Sequence, residues 1–94
     1  MAKSAEVLEF ENDSVKVSRV TIGAGERRQR GARDDRVLVW LTDAHHVREE
    51  PNGNREVIKR KAGEVAWRAR SEHQIENLGT NTVEVIIVEL KKRA

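Results

Sequence analysis

Apolar residues in this chain recur at strand period and strand length, and no window carries them at helical spacing more strongly than at alternation. Residues 15–22 (VKVSRVTI) set Val15 and Val17 on one face and Val20 and Ile22 on the other. Residues 36–42 (RVLVWLT) are apolar from Val37 to Leu41 and rich in β-branched and aromatic side chains, which suits a strand buried on both faces. Residues 82–90 (TVEVIIVEL) form the most hydrophobic stretch and read as the last core strand. Between these runs the turn chemistry is explicit. Pro51-Asn52-Gly53-Asn54, between short runs at 45–50 and 55–60, predicts a β-hairpin. Further short strands begin at Val65 and His73, and Leu78-Gly79-Thr80-Asn81 turns the chain before the last one. Residues 26–35 (ERRQRGARDD) hold no apolar residue but Ala32, which predicts a loop. About eight strands with turns roughly every 8–12 residues predict an all-β sandwich or barrel.

Composition narrows the class. The 94 residues allow one domain, 1–94, with 1–6 and 91–94 expected to fray. Cysteine is absent, so disulfides, thiol catalysis and thiolate metal sites are excluded. The 18 Lys and Arg face 16 Asp and Glu, for a net charge of +2, which does not make a nucleic-acid footprint. Phe10, Trp40 and Trp67 are too few aromatics for a base-stacking platform. No apolar run approaches the ~20 residues of a membrane span, and Met1-Ala2-Lys3-Ser4 has no signal-peptide core. The expectation is a soluble, cytoplasmic protein that contacts neither nucleic acid nor membrane.

Residues 63–77 (GEVAWRARSEHQIEN) resemble the second conserved motif of the cupins: Gly, five residues, Pro-x-Gly, two residues, His, three residues, Asn. Gly63, His73 and Asn77 match. Ala69 and Ser71 stand in for the Pro and Gly, and one residue is missing before the His. Arg36 to Asp43 is similar to the strand closing the first cupin motif, and Asn77-Leu78-Gly79 with Val83 to Leu90 is similar to the family's last turn and strand. The resemblance covers about residues 7–91. It implies a small double-stranded β-helix, the cupin or jelly-roll barrel.

The first cupin motif, Gly, five residues, His-x-His, three or four residues, Glu, is where the chain departs. Counting from Gly23 puts Gln29-Arg30-Gly31 in the His-x-His place, and counting from Gly25 puts Gly31-Ala32-Arg33 there. Neither register supplies a histidine. In the family these two His, the Glu and the second-motif His hold one divalent metal. Here His73 remains, with Asp35 as a weak second candidate beside Arg33 and Arg36. That set is short of the three protein ligands of a catalytic metal site, so no bound cofactor or tightly held metal is expected.

Single residues carry two readings each. His73 shares a strand face with Ile75 and Asn77, as a remnant ligand or as a hydrogen-bonded polar residue of the interior. His45 and His46 point to opposite faces and cannot chelate together, though one could reach the cavity mouth. Arg27, Arg28, Arg30, Arg33 and Arg36 put five guanidinium groups in ten residues, either to grip a carboxylate or phosphate or as a solvated loop offset by Glu26, Asp34 and Asp35. Trp40 and Trp67 wall a pocket or pack in the core or in a dimer.

The expected protein is therefore a metal-poor small cupin whose barrel binds a small, anionic molecule. Cavity candidates are His73, Asn77, Gln29, Arg36, Trp40, Trp67 and Arg68. The alternative is a metal-dependent cupin enzyme of dioxygenase or isomerase type, with His73, Asp35 and Gln29 as an atypical set. A ligand-free structural dimer is a third reading. A homodimer is expected in any case, because the strands at 36–42 and 82–90 are apolar on both faces and a single barrel has one interior.

Overall fold

The computed structural model describes residues 5–50 and 52–91, and the side chains of all of these but 29–33 and 71–73. Nine strands run through the described residues: β1 (Ala5–Glu11), β2 (Val15–Ile22), β3 (Arg27–Arg33), β4 (Arg36–Trp40), β5 (Ala44–Glu49), β6 (Arg55–Arg60), β7 (Val65–Arg68), β8 (Ser71–Asn77) and β9 (Val83–Leu90). They form two antiparallel sheets, of order β1-β2-β9-β4-β7 and β3-β8-β5-β6. The all-β reading holds.

Turn chemistry places the hairpins. Between β1 and β2, the Asn12 side-chain oxygen accepts from the N–H groups of Ser14 and Val15. Between β5 and β6, Gly53 takes φ 90°, which the Asn-Gly pair anticipates, and its N–H donates to the Glu50 carbonyl. That hairpin pairs Glu49 with Arg55 and His46 with Ile58.

Alternation then decides the core. Val20 and Ile22 of β2, Trp40 of β4, Ile75 of β8, and Val83, Val85 and Ile87 of β9 are buried together between the sheets. Ala44 joins them from the start of β5.

Two segments differ from the sequence expectation. Residues 27–33, predicted as a loop, are strand β3, paired with β8 through a bulge between Arg28 and Gly31. β3 is a sheet edge, where charged residues are ordinary, and its inward Arg28 faces a cavity rather than a greasy core, so no apolar periodicity marks it. β1 begins at Ala5, inside the stretch expected to fray, and covers the other sheet's edge with every residue exposed.

The outer faces of the two sheets are chemically different. Across the five-stranded sheet, Phe10, Val17, Val88, Val37 and Trp67 lie in one cross-strand row. The next row is Val7, Arg19, Ile86, Val39 and Val65. Arg19 is held there by Glu9 and Glu84. The outer face of the four-stranded sheet instead carries Arg27, Glu49, Arg55 and Glu76 in loose ion pairs of 3.6–3.9 Å.

Asn77 locks the two sheets together. It is fully buried, its Nδ2 donates to the carbonyls of Ile22 (3.0 Å) and Asn81 (2.9 Å), and its Oδ1 accepts from the Gly79 N–H (2.9 Å). Its backbone bonds to Gly25 and Glu26 in the crossing segment after β2. Asn77→Ala is expected to leave the Ile22 carbonyl and the Gly79 N–H without their partner, and to lower stability by roughly 2–4 kcal/mol. Urea unfolding monitored by tryptophan fluorescence checks this; a loss under 1 kcal/mol would refute the lock.

Candidate functional site

Between the sheets lies a cavity of about 50 Å³, enough for a few waters or a very small molecule. The register divides its lining into two ends. In the five-stranded sheet Arg36 of β4 stands opposite Arg68 of β7. In the four-stranded sheet Arg28 of β3 and Arg48 of β5 flank Ile75 of β8 on either side. All four arginines line the cavity. The other end is Val20, Ile22, Trp40, Ile58 and Val85, with His46 beside them and Leu38 and Ile87 between the two ends. The described lining contains no carboxylate.

The arginines are held individually. Arg36 is 2% exposed, and its NH1 donates to the carbonyls of Asp34 (3.2 Å) and Ala69 (3.4 Å). Burial pushes its guanidinium down to about 10, with Arg48, Arg28 and Arg68 acting the same way and Glu89 opposing them. It stays cationic at neutral pH. Arg28 pairs with Glu6 of β1. Arg48 Nε lies 2.9 Å from Glu50 but makes no directed hydrogen bond there, so that pair is an electrostatic contact. Among the described residues no carboxylate comes within ion-pair distance of Arg68; burial and Arg48 lower its pKa, while Glu56 raises it. Glu6 and Glu50 both sit at the partly exposed rim, so the arginine end faces solvent and the end with Val20, Ile22 and Trp40 is closed.

At the closed end, Arg60 of β6 lies over the Trp40 ring, 4.9 Å from its centroid. The His46 ring is tilted against Trp40 at 6.4 Å. Burial above all, then Arg60, Arg68 and His45, pushes the His46 imidazole down to about 4. His46 is therefore neutral at physiological pH.

Of the sequence candidates, Arg36, Trp40 and Arg68 line this cavity. Trp67 does not: it alternates with the inward Ala66 and Arg68, points outward and is 54% exposed. Asn77 is interior, but its amide is spent on backbone groups at the end of β8 and it does not line the cavity. Asp35 lies off the cavity, its carboxylate accepting from the Arg70 N–H at 2.6 Å. Gln29 and His73 occupy β3 and β8, and His73 pairs with Gly31; both side chains lie outside those described. Sequence reading set Arg28 in a loop of guanidinium groups, left open which of His45 and His46 reaches the cavity, and missed Arg48. Strand parity carries the signal for His46 and Arg48, which share a face of β5.

No protein-family model and no curated protein matches the sequence. Solved structures do. A cupin domain from Bordetella pertussis Tohama I has a TM-score of 0.88 at 21% identity, over 95% of this chain and 94% of that one. The fold is the cupin fold. An RmlC-like cupin family protein from Methanocaldococcus jannaschii, with a double-stranded β-helix, has a TM-score of 0.75 at 12% identity over 94% and 80% of the two chains. A cupin-2 domain protein from Shewanella frigidimarina has 0.63 at 13% identity over 93% and 80%.

The cupin fold implies a divalent metal, and the described side chains of this barrel do not fit one. No group of three His, Cys, Asp or Glu converges among the described residues. The cavity offers one described imidazole, His46, among four guanidinium groups whose field repels a cation.

The low pKa of His46 fixes a pH response. Above pH 6.5 the imidazole is neutral in both the folded and unfolded chain. As pH falls from 6.5 towards about 4, the unfolded chain takes up a proton that the barrel refuses, so stability declines. The full shift is worth on the order of 3 kcal/mol. His46→Phe is expected to remove this component. Urea unfolding at pH 7, 5.5 and 4.5 checks it, and identical pH slopes for wild type and variant would contradict it.

Proposed function

We propose that this cupin barrel is a binding module for a small anionic molecule, held by Arg28, Arg36, Arg48 and Arg68. The observation that carries the reading is the convergence of these four guanidinium groups on one cavity whose described lining holds no carboxylate. Burial first, and then the neighbouring guanidinium groups, lower the pKa of Arg36 and Arg68. An oxyanion between them relieves their repulsion and accepts several charge-assisted hydrogen bonds. The chain supplies no described nucleophile–base pair or metal set at this cavity, so the reading is of binding, without an assigned reaction. Isothermal titration at low salt with small carboxylates and inorganic phosphate tests it. Saturable binding that falls at least tenfold in Arg68→Met is expected, a loss of about 1.4 kcal/mol or more. Absence of binding to every anion tried would end the reading.

We also infer that a second copy of the chain covers the outer face of the five-stranded sheet. Phe10 and Trp67, each more than half exposed, sit at the two ends of an apolar row that spans all five strands, with Val7 and Val65 exposed alongside. Aromatic anchors in an apolar patch are the composition of an interface core. The charged outer face of the other sheet makes the contrast. A sheet face can meet its own twofold copy with like rows against like, and the charges on it, Arg19 with Glu9 and Glu84, are already paired with one another. Sedimentation equilibrium is expected to give twice the chain mass, and Trp67→Lys to give monomer. A monomeric wild type at micromolar concentration would overturn this.

A further inference from the structure

We propose that the anion is a short-chain monocarboxylic acid, bound with its carboxylate among the arginines and its hydrocarbon end against the closed end of the cavity. The proposal rests on the anion-binding reading and adds the ligand's polarity. The four guanidinium groups occupy one end of the cavity only, because Arg36 and Arg68 face each other in one sheet and Arg28 and Arg48 flank Ile75 in the other. Four residues beyond Arg36 on β4, past Leu38, stands Trp40, in register with Val85, which in turn pairs with Val20. These closed-end walls are 2–6% exposed and apolar apart from the buried indole N–H of Trp40. His46 beside them is neutral, and the Arg60 guanidinium, which lies over the Trp40 ring, does not line the cavity.

A cavity charged at one end and greasy at the other selects a ligand divided the same way. A phosphate or sulfate ion satisfies the arginines and leaves the apolar end to water or void. A carboxylate with an alkyl tail satisfies both, and its planar head suits bidentate contact with guanidinium. The small volume limits the tail to a few carbons.

Isothermal titration at fixed low ionic strength with formate, acetate, propionate, butyrate and hexanoate, and with sulfate and phosphate, tests the proposal on the wild-type protein. Affinity is expected to rise about threefold to fourfold per added methylene until the cavity is full, and then to fall. Ile58→Ala, which lengthens the closed end, is expected to move the optimum to a longer acid. Equal affinity for all the acids, or phosphate and sulfate binding more tightly than every acid, would overturn the carboxylate proposal and leave the anion reading standing. No binding by any of the seven probes would remove both.

Discussion

The two sheets of this barrel are joined by a buried amide. Asn77 ends β8 in the four-stranded sheet and donates to the carbonyl of Ile22, which ends β2 in the five-stranded one. The same side chain closes the turn after β8 by accepting from Gly79, two residues on. Only an amide does this, because the site needs two donors and an acceptor on a short side chain and cannot tolerate a charge. With that corner closed, β9 leaves the turn at Val83 in the register that places Val83, Val85 and Ile87 inside. The cavity walls inherit their alignment from there.

The interior so formed is unusual in its electrostatics. A barrel this small has little apolar residue to spare, yet four of its inward positions are arginine. Backbone carbonyls take up part of the Arg36 guanidinium, and rim carboxylates balance Arg28 and Arg48. The cavity that holds a metal in the family resemblance is lined here by four guanidinium groups, whose field is the opposite of the one a cation needs. Neutral His46 follows from the same field, since burial and neighbouring guanidinium groups both disfavour a proton on it.

Much of the fold was legible. The runs at 15–22, 36–42 and 82–90, the Asn-Gly hairpin and the second-motif residues Gly63, His73 and Asn77 point to an all-β cupin barrel from residue order and spacing alone. β3 was not legible, because its described cavity-facing side chain is Arg28, and a hydrophobic period cannot mark a strand that faces a polar cavity. The site was half legible. Arg36, Trp40 and Arg68 could be named from their strands, while Trp67, a cavity candidate with core or dimer packing as its other reading, points outward. One step of parity separates Trp67 from Arg68, and a four-residue strand offers too little alternation to set the phase.

The sequence by itself determined the strand period, the absence of thiol chemistry and the loss of the His-x-His pair, because each is a property of residue identity and local spacing. Only the tertiary structure decided that Arg28 and Arg48, twenty residues apart, share a row across Ile75, that Arg36 faces Arg68, and that Asn77 belongs to the frame rather than the cavity. Those pairings are non-local: which side chains meet depends on sheet order and register, and both are set by the packing of the whole chain around one interior.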